Sequence, residues 1–203
     1  MLLAFDTSTA ACTAALFDGA GDCIDRRDEL IGRGHAERLV PMIAELLGGR
    51  TPDRILVGTG PGSFTGIRVA IAAAQGLAIG WGAELAGMSS LALLAAGADV
   101  REEVAVALAG GHGELFVQQF AGRTRLPAAD VANLSPADAA AAVNARLVLG
   151  SGAGLLVEAR GSGEAREAWP AAADALKVPE ALRSLPARPL YGRAPDARVP
   201  RAA

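Results

Sequence analysis

The chain has 203 residues, 51% of them apolar, with 25 glycines and a formal net charge of −3. That length buries one core or two small ones, and the composition excludes a disordered or collagen-like chain. The slightly acidic balance gives no global attraction to nucleic acid, which excludes a free-standing RNA clamp while leaving local basic patches open.

Leu2-Leu3-Ala4-Phe5-Asp6 reads as a buried strand turned by Thr7-Ser8-Thr9. Ala10 to Phe17 returns as a second strand, and Cys23 to Glu29 follows as a third after the Asp-Gly-Ala-Gly-Asp turn. Pairing about Gly19-Ala20-Gly21 puts Cys12 near residue 28 and Cys23 near Phe17, too far apart for a disulfide. A reduced, cytoplasmic chain is therefore expected. Asp6 interrupts the apolar start and no basic region precedes it, so no signal peptide is expected.

Residues 35–47 place Ala36, Leu39, Val40, Ile43, Leu46 and Leu47 at helical spacing. Pro41 inside that pattern predicts a kink or a restarted helix, and Gly48-Gly49 ends it. Next come a strand at 54–58, a Gly-rich loop, a helix over about 66–80, a short strand at 84–87 and a helix near 89–98 capped by Ser89 or Ser90. The order is βββαβαβα. The most apolar stretch, 67–80, carries Arg68 and Gln75 and is too short to span a bilayer.

After Val100 the pattern restarts more weakly. Val104–Ala109 and Glu114–Phe120 read as strands around Ala-Gly-Gly-His-Gly. Ser135 caps a helix with Pro136 at its first position and Asp138 in its first turn. Leu147–Leu149 is a strand that runs into Gly150-Ser151-Gly152-Ala153-Gly154. Residues 121–186 otherwise say little, and the proline-rich end predicts an irregular tail. Two lobes are expected, 1–99 and a smaller 100–203.

The loop in Ile55-Leu56-Val57-Gly58-Thr59-Gly60-Pro61-Gly62-Ser63-Phe64-Thr65-Gly66-Ile67-Arg68 resembles a phosphate-binding turn but matches none of the common ones. Gly66 is followed by Ile67 where a Walker A loop needs Lys. Thr65 replaces the third glycine of a dinucleotide fingerprint, and Pro61 occupies the upstream glycine position of a nucleophile elbow. What remains is a strand end, a turn and a helix start capped by Ser63 or Thr65. Its backbone N–H groups could hold an anion, or its glycines could simply permit positive φ; the sequence leaves both open.

The helix after that loop is apolar nearly all round, and only the stripe of Arg68, Ala72, Gln75 and Ile79 carries polar groups. The helix before it has an apolar arc from Met42 and Leu46 through Leu39 to Val40. Both are more apolar than packing on one sheet requires. Leu39, Met42, Leu46, Arg68, Ile71, Ala72 and Gln75 are therefore the candidate partner surface. The alternative is a helix buried within the monomer.

Asp6-Thr7-Ser8-Thr9, His35-Ala36-Glu37-Arg38-Leu39-Val40-Pro41 and Gly60-Pro61-Gly62-Ser63-Phe64-Thr65-Gly66-Ile67-Arg68 together resemble the TsaB (YeaZ) family, required for threonylcarbamoyladenosine formation in tRNA. Gly113-Glu114-Leu115-Phe116 and the tail Pro189 to Ala197 also fit. The resemblance is strong over 1–95 and patchy over 104–120 and 189–197. It implies an α/β fold of the actin/hexokinase/Hsp70-like (ASKHA) type, with two lobes and the second reduced.

The resemblance further implies a non-catalytic scaffold with no catalytic residue, no metal and no cofactor bound independently. ATP and metal are expected on partner subunits. The paralogue TsaD would carry the active site and bind as a heterodimer through the first two helices. The ATPase TsaE would join, tRNA would be met only through the complex, and the chain alone would be a homodimer.

In the wider superfamily the first hairpin wraps nucleotide phosphates and its Asp acts through a metal. Asp6, Thr7 and Ser8 are thus the phosphate-loop candidates, expected here to serve the folding of the hairpin instead. TsaD-type proteins hold their metal with paired histidines on the helix matching 35–47, where this chain has His35 alone; His112 is its only other histidine. TsaB relatives usually carry Asp-Ala-Arg where this chain has Ala109, Gly110 and Gly111. A small ATP-dependent kinase or ATPase of the same superfamily is the alternative. A zinc peptidase and a stand-alone tRNA binder fit less well.

Overall fold

The N-terminal apolar run is a strand with both faces covered. In the computed structural model, which describes residues 1–191, β1 (Leu2–Asp6) pairs antiparallel with β2 (Ala11–Phe17), and β2 pairs with β3 (Cys23–Leu30). Every residue of β1 and β2 is buried, so neither shows alternation, whereas the edge strand β3 alternates exposed with half-buried positions. A bulge between Leu16 and Phe17 shifts the register, so Cys12 faces Glu29 instead of residue 28, while Cys23 faces Phe17.

Both thiols are free, Cys12 buried and Cys23 exposed. Burial, aided by the Glu29 charge, pushes the Cys12 thiol up to about 11. The folded chain therefore keeps this proton where the unfolded chain loses it. The resulting stability is complete below the ordinary thiol pKa and fades as pH rises toward about 11. A disulfide reagent at neutral pH should titrate Cys23 at once and Cys12 only on unfolding. Equal rates for the two would contradict this packing.

The helical spacing at 35–47 gives α1 (His35–Leu47), which runs as one helix through Pro41, where the sequence predicts a kink or restart. Pro41 and Glu37, whose carbonyl loses its partner to the proline, are both exposed. Gly48, left-handed at φ 53, ends the helix. Then come β4 (Arg54–Gly58), α2 (Phe64–Trp81), β5 (Glu84–Met88) and α3 (Ser90–Ala96). Ser63 caps α2 and Ser89 caps α3 through their side chains. The first sheet has the order β3-β2-β1-β4-β5, with β4 parallel to β1 and β5 parallel to β4.

The second half repeats this unit. β6 (Val104–Ala109), β7 (Leu115–Phe120), β8 (Ala132–Leu134), α4 (Pro136–Ala142), β9 (Leu147–Leu149), α5 (Ala153–Arg160) and β10 (Glu164–Arg166) form a sheet of order β10-β9-β6-β7-β8. β6 to β10 occupy the places of β1 to β5, with the same parallel and antiparallel pairings. The reduction lies in length: β8, β9 and β10 have 3 residues each. In place of a third helix the chain makes a 3-10 segment, Ala172–Lys177, which returns to pack beside α3 and under the first sheet.

Three apolar clusters follow from this layering. One lies between α1, α2 and the first sheet; one fills the space between the two sheets around α3; the third lies between the second sheet and α4 and α5. After the short helix α6 (Glu180–Arg183), Leu185 exchanges backbone hydrogen bonds with Gly87 on β5, at 2.6 and 3.0 Å. Leu190 N then donates to the Thr59 carbonyl at 2.8 Å. The expected irregular tail thus carries ordered structure through Tyr191. Residues 192–203, including the Gly192 to Ala197 part of the family motif, lie outside the described residues.

Arg125 is the cation the sequence gave no reason to notice. It is buried at a left-handed φ of 51 and donates to the carbonyls of Ala98, Glu102 and Gly122 at 3.0, 3.2 and 2.6 Å, and to that of Val100. One side chain thereby ties the α3–β6 loop to the β7–β8 loop. Burial lowers its pKa from the ordinary guanidinium value. Arg125→Met keeps the stem and strands the carbonyls, and should lower unfolding stability by about 2–4 kcal/mol in urea titrations. A loss below about 0.5 kcal/mol would show that water replaces the guanidinium.

Candidate functional site

The Gly-rich loop and the first hairpin are clamped together. Ser63 N donates to the Ser8 carbonyl at 2.6 Å, and Thr7 Oγ1 donates to the Gly66 carbonyl at 2.7 Å. A Cβ at Gly66 would stand 1.9 Å from the Thr7 carbonyl oxygen, and one at Gly62 would stand 2.1 Å from that of Ser8. The glycines therefore admit the hairpin backbone, a close approach that only glycine permits.

Asp6, fully buried, has both carboxylate oxygens engaged inside the protein. Oδ1 accepts from Ser8 N and Ser8 Oγ, both at 2.7 Å, and Oδ2 accepts from Ser90 Oγ at 2.5 Å. Ser90 Oγ in turn accepts from Gly60 N at 3.0 Å. Asp6, Thr7 and Ser8 are thus brought together, but their polar atoms bind one another, Gly66 at the start of α2 and Ser90 at the start of α3.

Between the lobes lies a cleft of about 810 Å³. One wall is the hairpin turn Ser8-Thr9-Ala10 with the start of α2; the other is the β6–β7 turn with Ser151. Trp169, Leu190 and Tyr191 also line it. Among the described residues no Asp, Glu or Lys lines it; its polarity comes from hydroxyls, backbone, His112 and Arg68. Residues 109–111 offer the cleft only backbone and one methyl group.

Among the described residues no three His, Cys, Asp or Glu side chains cluster as metal ligands would. The His35 ring lies at the start of α1 with Nε2 3.3 Å from the Ala11 carbonyl oxygen. His112 sits on the other lobe in the 3-10 turn Gly111–Gly113, at φ 60.

The α1–α2 surface differs from its sequence-based expectation. Leu39, Met42, Leu46 and Ile71 are buried in the cluster with Leu3, Phe5, Ile55 and Val57, so these four side chains face the sheet and not a partner. Their spacing is that of the sheet-facing stripe. Arg68, Ala72 and Gln75 are exposed, as their positions opposite that stripe require.

Other exposed apolar residues of these helices are Val40, 51% exposed, on α1 and Ile79, 85% exposed, on α2; Ala44 and Gly76 are exposed as well. α2 has 18 residues, longer than the 66–80 expected, and by length and composition alone could cross a bilayer. Gly66, Ile67, Ala70, Ile71 and Ala74 nevertheless fix one of its faces to the protein. On the flank, Arg38 bonds Glu29 of β3 at 2.6 and 2.7 Å and Glu45 at 2.8 Å, holding both carboxyls below their ordinary range.

A family model described as TsaD, tRNA N6-adenosine threonylcarbamoyltransferase, matches residues 28–159. The tRNA threonylcarbamoyladenosine biosynthesis protein TsaB of Escherichia coli is 42% identical over 103 residues, 48% of this chain and 43% of that protein. TsaB of Haemophilus influenzae is 39% identical over 127 residues, 58% of this chain and 52% of that protein. The alignments thus span about half the length of these curated relatives. The solved structure of YeaZ from Pseudomonas aeruginosa is 30% identical with a TM-score of 0.76, covering 94% of this chain and 98% of that one. With the repeated five-stranded sheets and the hairpin–loop clamp, this full-length match shows that the chain belongs to the TsaB (YeaZ) family and has its actin/hexokinase-like α/β fold.

Proposed function

We propose that this chain is a non-catalytic scaffold that binds a TsaD-type paralogue and supports it in forming threonylcarbamoyladenosine next to the anticodon of tRNA. The observation that carries the reading is the state of Asp6. A carboxylate that is to act through a metal needs an oxygen aimed at the cleft, and both of its oxygens accept from Ser8 and Ser90 instead. Among the described residues no carboxylate lines the cleft to position a metal–nucleotide. In this reading no cofactor is bound independently, and ATP and metal belong to the partner subunits.

The outward face of α1 and α2 supports the partner side of the reading. Its exposed surface runs through Val40, Ala44, Ala72, Gly76 and Ile79, with Arg68 and Gln75 setting register. TsaD docks there as a heterodimer, TsaE joins the larger cytoplasmic complex, and tRNA is met only through it. Without TsaD a second copy covers the same face.

The alternative, a small kinase or ATPase, has a direct test. The purified chain with ATP and Mg²⁺ should neither hydrolyse nucleotide nor transfer threonylcarbamoyl to tRNA. Turnover near ~1 s⁻¹, ordinary for an enzyme, would overturn the scaffold reading.

A further inference from the structure

Phe64, Arg68 and Tyr191 form a closed triangle at the mouth of the cleft. The guanidinium carbon of Arg68 lies 3.6 Å from the Phe64 ring centre and 5.7 Å from that of Tyr191. Arg68 Nε donates to Tyr191 Oη at 3.0 Å, and the two rings are 5.4 Å apart. Upstream, the returning segment is held by backbone bonds, Leu185 to Gly87 and Leu190 to Thr59. At Tyr191 the contact passes to side chains. All three side chains line the cleft, while Arg68 also belongs to the outward stripe of α2 with Ala72 and Gln75. One residue thus serves two surfaces.

We propose that the Arg68–Tyr191 contact is a latch that holds the returning segment across the cleft mouth and is released when an acidic side chain of a partner docked on α2 takes Arg68. The proposal rests on the scaffold reading above. Arg68 is the only charged residue of α2, so an acid on the partner has one cation to address on that helix. A carboxylate offers it two parallel bonds and an opposite charge, where the phenol oxygen of Tyr191 accepts one bond and carries no charge. The latch is correspondingly light, because Phe64 is 53% and Tyr191 42% exposed. Stacking of a cation on exposed rings is worth about a two- to fivefold shift in an equilibrium. Linkage is reciprocal: a partner that draws Arg68 away opens the cleft, and a chain without the latch binds that partner more tightly.

Two readouts test it. In a Trp81→Phe background Trp169, in the cleft, is the sole remaining tryptophan of the two. Acrylamide should then quench its fluorescence more strongly in Tyr191→Ala and in Arg68→Ala than in the parent. Calorimetric titration with TsaD should show Tyr191→Ala binding about two- to fivefold more tightly than wild type, since that change leaves the α2 stripe intact. Unchanged quenching, or affinity that is equal or weaker, overturns the latch. A wild-type chain that fails to bind TsaD overturns the scaffold reading instead, and the quenching alone then decides the latch.

Discussion

Ala72→Arg should weaken TsaD binding by about a hundredfold or more while leaving the thermal midpoint of the isolated chain unchanged. Ala72 is exposed on α2, one turn from Arg68 and one from Gly76, and a Cβ built at Gly76 meets nothing within 4 Å. Small residues on an outward helix face let another helix come close, and a long cation placed there is buried without a partner. That arrangement costs a few kcal/mol, which corresponds to the expected loss in affinity. Calorimetric titration checks binding and a melting curve checks the fold. Leu39, Met42 and Leu46 cannot serve in the same test, because a charge at any of them enters the core. Normal binding by Ala72→Arg, or its unfolding, would put the interface on another face.

Gly66→Ala should be among the most destabilising single changes in the first lobe, by more than about 3 kcal/mol. The added methyl would stand 1.9 Å from the Thr7 carbonyl oxygen, and both sides of that clash are backbone. Relief would pull the hairpin off the loop and break the Ser63–Ser8 and Thr7–Gly66 bonds together. Gly76→Ala in the same helix has open space and should instead stabilise the isolated chain by roughly 0.5–1 kcal/mol through helix propensity. Urea unfolding of the two variants side by side gives the comparison. If Gly66→Ala is as stable as Gly76→Ala, the clamp is not what requires the glycines.

The first lobe was legible because its elements carry their own punctuation. Ser63, Ser89 and Gly48 mark helix ends by local hydrogen bonding and left-handed backbone, and such signals survive without tertiary context. Facing was harder. Periodicity tells which residues of α1 share a side, but Leu39, Met42 and Leu46 look the same whether that side meets a sheet or a partner. In α2 nearly every residue is apolar, so only Arg68 and Gln75 betrayed the outward direction, and they did so correctly.

The second lobe gave little because a strand of 3 residues completes barely one alternation, and the alanine-rich α4 offers no contrast between faces. Arg125 gave no signal at all, since its acceptors are backbone carbonyls and any sequence supplies those. Tyr191 was visible as a motif residue, but its contact with Phe64 and Arg68 depends on a chain return that no local pattern encodes.

The most direct measurement is reconstitution of the modification itself. TsaD from the same source, unmodified tRNA and threonylcarbamoyl-adenylate would be assayed with wild-type chain, with Ala72→Arg and with none, and the modified nucleoside quantified. The scaffold account predicts product when wild-type chain and TsaD are together, little or none with Ala72→Arg, and none from this chain alone. Product from the chain without TsaD, or a TsaD yield indifferent to its presence, would contradict it.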